Sequence, residues 1–233
     1  RDAQESRGLG DVYKRQVLLP AMWRMKAMVA HPRNVLVILG AGLVLAVAGA
    51  LFGSSLVFGL GVLVYTAAWA WALQTWCAGV FSTNPREHFS YSGMSVLLAV
   101  AWLVAALTTF GTSALLIDGY LDSLTAPVLP LLVGFAAQLL IGTMSYLMPV
   151  TIGGGPAATR AGLKELDRAA GARVLVFNLA LVGWLFAPSS IARIVCSLLA
   201  CGCLVVFIPL MARAVKAQRA VIMSKAAASS KTA

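Results

Sequence analysis

From Val17 onward, long apolar stretches alternate with short polar connections. Windows long enough to cross a bilayer fall at 34–53, 56–81, 93–117, 127–150, 173–187 and 191–212. A crossing helix needs roughly 20 mostly apolar residues. The fifth window is the shortest and stops at Ala187, just before Pro188. Each window is predicted to be helical, because a strand edge open to lipid would leave backbone N–H and C=O groups unpaired. The predicted fold class is all-α: a polytopic membrane helix bundle of about six transmembrane helices, plus a short cytoplasmic interfacial helix.

The polar connections orient these spans. Arg24, Lys26 and Arg33 precede the first window, Arg86 follows the second, and Arg160, Lys164, Arg168 and Arg173 follow the fourth. Arg213, Lys216, Arg219, Lys225 and Lys231 follow the sixth. The alternate connections carry almost no positive charge: Gly53-Ser54-Ser55 has none, the turn around Asp118 and Asp122 is acidic, and Pro188-Ser189-Ser190 is neutral. Arg193, just inside the sixth window, is the exception. By the positive-inside rule both ends of the chain are expected in the cytoplasm, in a cell (inner or plasma) membrane.

Composition agrees with this pattern. Hydrophobic residues make up 60% of the chain and charged ones only 11%, too little charge to cover a soluble domain of this length. The net charge of +10 does not imply a nucleic-acid partner, because the basic residues lie in short runs between spans and not on one exposed face.

Residues 1–16 are expected to be foreign to the protein. Ser6 to Gln16 can be back-translated into the adapter and transposon end used in tagmentation sequencing libraries, and Arg1-Asp2 fits the flanking adapter. An agreement over eleven consecutive codons excludes chance, so the segment is set aside as a tag would be. The resulting organisation is an adapter scar at 1–16, a cytoplasmic basic segment at 17–33, a six-helix transmembrane domain at 34–213 and a cytoplasmic basic tail at 214–233. The native N-terminus is expected to be missing.

Little of the sequence has the residue types of a reaction centre. The two histidines, His31 and His88, fall in connections, whereas a membrane haem takes its axial ligand from inside the bundle. Cys77, Cys196, Cys201 and Cys203 lie within or at the ends of spans. Cys201 and Cys203 diverge by about 200° on a helix, so small packing residues are the expectation. Met144 and Met148 share a helix face, a pairing open to Cu(I) but also to core filling. The polar residues inside spans are Gln74, Gln138 and Asn178. They are candidates for a solute path, or for hydrogen bonds between helices. No Asp, Glu, Lys or Arg lies near the centre of a span. No catalytic or metal-ligating residue is assigned.

The densest motif is Tyr146-Leu147-Met148-Pro149-Val150-Thr151-Ile152-Gly153-Gly154-Gly155-Pro156. Gly153, Gly154 and Gly155 should end the fourth helix sharply, and Pro156 suits the first turn of a new one. It is not a nucleotide loop, since no Gly-Lys-Ser/Thr follows and no strand precedes. A helix from Pro156 to about Ala170 is predicted to carry Arg160, Lys164 and Arg168 one turn apart. That basic stripe suits anionic lipid headgroups.

At this motif the chain resembles a known family. Leu147-Met148-Pro149-Val150, Gly153 to Ala158, Arg160-Ala161, Leu166-Asp167-Arg168, Arg173 and Asn178 resemble the membrane region of actinobacterial copper oxidases. These are multicopper-oxidase or copper-nitrite-reductase-like proteins whose multi-span N-terminal part is distantly similar to haem–copper oxidase subunit I. The resemblance covers most of 33–213 and is specific only around 145–178. It implies the membrane module of a copper-oxidase-type redox protein, with a His-rich helix upstream and cupredoxin domains downstream. Neither is in this chain, no position matches a copper ligand, and a redox domain on the outer face would require a further span beyond Ala233. The expectation is therefore no cofactor here, with copper or haem in the intact parent. The expected partners are the bilayer, anionic lipids and a redox domain or subunit, with no nucleic acid. The alternatives are a small-solute permease or channel lined by Gln74, Gln138 and Asn178, or a non-catalytic scaffold subunit.

Overall fold

The computed structural model describes residues 32–82, 90–117 and 127–230. The segments 1–16 and 17–31, and with them His31, His88, Arg86, Asp118 and Asp122, lie outside the described residues.

Eight helices and no strand are found among those residues: α1 (Pro32–Leu51), α2 (Ser55–Ser82), α3 (Tyr91–Leu116), α4 (Pro130–Ile152), α5 (Pro156–Leu166), α6 (Ala170–Phe186), α7 (Ser190–Val205) and α8 (Phe207–Ser230). The all-α membrane bundle anticipated from the apolar windows is the fold observed. Five helical stretches are long and apolar enough to cross a bilayer, and a sixth crossing arises if α5 and α6 count as one. These two are bent by 42° at their break. At 17 residues α6 alone falls short of the roughly 20 needed.

The helix ends follow local chemistry. Gly53 takes φ 65° after α1, and the N–H groups of Gly53 and Ser54 return to the carbonyls of Ala50 and Gly49 at 3.3 and 2.8 Å, a Schellman closure. Ser189 caps α7 by accepting from the Ala192 N–H at 3.3 Å, and Ala187 is extended because Pro188 disfavours a helical residue before it. Pro209 has no N–H to return to Val205, which fits the turn at Val206 that separates α7 from α8. The first eight residues of α4, Pro130–Ala137, have the wide π-type winding. Within the segment read as a basic tail, helix α8 runs on to Ser230. From Ser190 the helical stretch reaches 38 residues, about 57 Å, well beyond a hydrocarbon core of about 30 Å.

The chain divides into two compact units. In the first, α1 and α2 form the hairpin that the tight connection predicts. Their backbones nearly touch: a Cβ on Gly49 would lie 2.1 Å from the Phe58 nitrogen, and one on Gly61 would lie 2.2 Å from the Ala46 nitrogen. Small residues permit this approach, and in lipid such packing replaces the missing hydrophobic drive. Phe58 meets Phe110 edge-on at 5.5 Å.

The second unit holds the first turns of α3 together with α4 to α8. Tyr91, Ala170 and Val174 form one buried cluster, flanked by Met94, Leu98 and Ile141. Leu166, Leu210 and Ala214 form another. Gly142 lets α4 approach Ser95, whose Cβ would lie 2.9 Å from an added Cβ. Elsewhere large apolar side chains face outward, among them Ile191, Ile194, Leu198 and Ile208 on α7 and α8. That surface suits acyl chains and not water.

Candidate functional site

The polar contacts of the second unit gather at two nodes, one at each end of α5. The first begins with the glycine run. Gly153, Gly154 and Gly155 all take positive φ, between 74° and 88°, a region closed to most L-residues. This three-residue reversal ends α4 and places Pro156 at the start of α5. A terminating helix leaves carbonyls without intrahelical donors. Gln218 of α8 supplies them: its Nε2 donates to the carbonyls of Pro149 at 2.8 Å and Gly153 at 2.7 Å. Gln218 is fully buried. Its Oε1 has no hydrogen-bond partner among the described residues and lies against Gly162, where a Cβ would come within 2.8 Å. Ile222, one turn further along α8, covers Gly154 in the same way.

On α5, Ala158, Gly162 and Leu166 are buried four residues apart, so one face of the helix meets its neighbours. Arg160 and Lys164 are exposed, and a spacing of 100° per residue puts them on the opposite face. Glu165 ties the edge of the helix down, pairing with Arg213 of α8 and with Arg168, each at 3.3 Å.

The second node lies at the break between α5 and α6. Asp167 accepts the backbone N–H of Tyr91 at 2.7 Å, satisfying an orphan donor at the start of α3. Ala169 sits in the left-handed region at φ 52°, an uncommon place for alanine. Arg173, in the first turn of α6, is 8% exposed. Its Nη1 donates to the Leu166 carbonyl at 3.1 Å, and its guanidinium carbon sits 3.9 Å over the Tyr91 ring. Burial pushes the Asp167 carboxyl above its ordinary value, while the Tyr91 N–H and the Arg173 charge pull it back.

The residues singled out from the sequence do not share one place. Gly153, Gly154, Gly155 and Pro156 form the first node. Gln138 is buried in α4, with its Oε1 unpartnered among the described residues. Asn178 donates to the Val174 carbonyl of its own helix at 2.7 Å. Gln74 is exposed and belongs to the first unit. Gln218 and Tyr91 escaped the sequence reading because each works on a distant partner. Gln218 did leave a trace, standing four residues after Ala214 and eight after Leu210 on one apolar stripe. All four cysteines are free thiols, Met144 is exposed, and no three His, Cys, Asp or Glu groups converge as metal ligands among the described residues.

No protein-family model matches the chain, and no characterised protein or solved structure is significantly similar to it.

Proposed function

We propose that the chain is the membrane module of a copper-oxidase-type redox protein, a cell-membrane anchor that holds a redox domain or subunit and performs no chemistry itself. One observation carries the reading: five residues of the family resemblance, Pro149, Gly153, Leu166, Asp167 and Arg173, take part in the contacts that lock the second unit together. Pro149 and Gly153 accept from Gln218, Leu166 accepts from Arg173, and Asp167 accepts from Tyr91. Their polar groups are committed to structure, as a holding element requires. No three His, Cys, Asp or Glu groups converge as metal ligands among the described residues, and in this reading metal chemistry belongs to the parent's other parts.

In this reading α5 lies at the cytoplasmic face, where Arg160 and Lys164 meet anionic headgroups, and both ends of the chain are cytoplasmic. The test is the unbroken reading frame in the source DNA, together with gentle purification of the intact product. Cupredoxin-type His and Cys codons downstream of Ala233, and copper retained on the purified protein, are expected. A stop codon directly after Ala233 with no copper protein co-purifying would overturn the proposal.

A further inference from the structure

Helix α8 leaves the bilayer as a rod and stays upright. Counted from Ser190, a hydrocarbon core of about 30 Å is crossed in about 20 residues, near Pro209, yet the helical stretch continues to Ala227. Beyond Pro209 its contacts keep it from folding down onto the lipid surface. Leu210 and Ala214 pack with Leu166 of α5, Gln218 holds the Pro149 and Gly153 carbonyls at the end of α4, and Ile222 sits on Gly154. Along the helix axis Arg219 and Met223 therefore stand about 15 and 21 Å past the core edge, whereas the headgroup layer is only about 5–8 Å deep.

The side of α8 turned away from those contacts is basic. The helix holds Arg213, Lys216, Arg219 and Lys225 and no Asp or Glu. Arg213 is tied to Glu165, but Lys216 and Arg219 are exposed and make no ion pair among the described residues. At 100° per residue Met223 falls about 20° from Lys216 and about 40° from Arg219, on the same side of the helix. It is 71% exposed. Ala220 and Ala227, also exposed, keep this side low enough for a second helix to lie along it. Two cations are at home in water, but a flexible thioether between them, beyond the reach of acyl chains, is the pattern of an adaptable contact surface.

We propose that this side of α8 docks an acidic amphipathic helix of a cytoplasmic protein, with its carboxylates on Lys216 and Arg219 and an aliphatic side chain on Met223. Charge decides the occupant. A second copy of α8 would set like charges against each other, and anionic headgroups lie too far below, screened over about 8 Å. The cytoplasmic placement rests on the orientation in the module reading. The surface itself depends on no redox domain, so a parent without copper would leave it intact.

The test uses the full chain in phosphatidylcholine nanodiscs and a labelled synthetic helix, read by fluorescence anisotropy. The peptide has about 20 residues, with leucine every three to four positions and glutamate on both flanks. Saturable binding that weakens with added salt is expected. Lys216→Glu with Arg219→Glu should weaken it roughly tenfold without moving the thermal midpoint, since both side chains are exposed. Met223→Ser should weaken it about fivefold and leave the salt dependence as it was. Lys225→Gln, on the opposite side of the helix from Lys216, should bind like the parent chain. The proposal is overturned if binding does not saturate, if a glutamine-for-glutamate peptide binds equally well, or if Lys225→Gln loses as much as the double variant. It is also overturned if duplex DNA or phosphatidylglycerol vesicles engage Lys216 and Arg219 while the peptide does not bind.

Discussion

Replacing Gln218 with methionine tests whether α8 closes the end of α4. Methionine keeps the length and nearly the volume of glutamine, so the change removes polar contacts and leaves no large cavity. Two donated hydrogen bonds disappear, at 2.8 and 2.7 Å, together worth about 2 kcal/mol. The Pro149 carbonyl keeps only a long contact from the Gly153 N–H at 3.4 Å, so part of its desolvation cost is exposed as well. Removing the unpartnered Oε1 returns some of that loss. The net expectation is about 2–3 kcal/mol, a roughly 30- to 150-fold shift in the unfolding constant. Reversible unfolding in bicelles measures the total. Hydrogen exchange locates it, and the amides from Gly153 to Leu166 should lose protection before those of α1 and α2. If Gln218→Met falls within about 0.5 kcal/mol of the parent chain, or exchange near Gly153 is unaltered, the clamp contributes nothing and the reasoning is wrong.

Three further outcomes follow from the same contacts. Gly49→Val drives a side chain into the Phe58 backbone and should destabilise the α1–α2 hairpin by about 2–3 kcal/mol; Gly40→Ala, with nothing within 4 Å, should be neutral or gain about 0.5 kcal/mol, and thermal unfolding separates the two. Asp167 titrates above its ordinary value of 3.8 in the fold, so its contribution to stability is fully present below that pH and is lost as pH rises through the raised value. Melting curves between pH 3.5 and 7 should show that decline in the parent chain and not in Asp167→Asn, and matching profiles would refute the assignment. Arg160→Gln combined with Lys164→Gln should weaken enrichment of phosphatidylglycerol around the protein by about 2 kcal/mol, roughly 30-fold, read by native mass spectrometry of retained lipids. Equal retention would place α5 away from the headgroups.

The order and type of the elements could be read from the chain because the bilayer acts on each segment separately. Every span must satisfy its own backbone and present apolar side chains, whatever its neighbours are. Gly53, the run Gly153 to Gly155, Pro156 and Pro188 then punctuate the helices by local sterics alone. Residues beyond 213, legible only as a basic tail, continue as helix: Ala214, Gln218 and Ile222 fall on one side of α8, which packs on α5 and on Gly154. The helix expected after Pro156 and the short fifth window are α5 and α6, bent by 42° at their break.

The nodes at the two ends of α5 were not legible, because they join residues far apart in the chain. Gln218 reaches a carbonyl 69 positions away, and the Tyr91 N–H reaches a carboxylate 76 positions away. Apolar periodicity states that a segment is buried, but in lipid almost every span is apolar all round, and the pattern does not say which helices are neighbours. Packing decides that. Once α8 lies along α5 and the start of α3 meets the break before α6, a glutamine in a basic stretch becomes a helix cap, and an arginine counted as an orienting charge becomes a buried cation held by the Leu166 carbonyl and the Tyr91 ring.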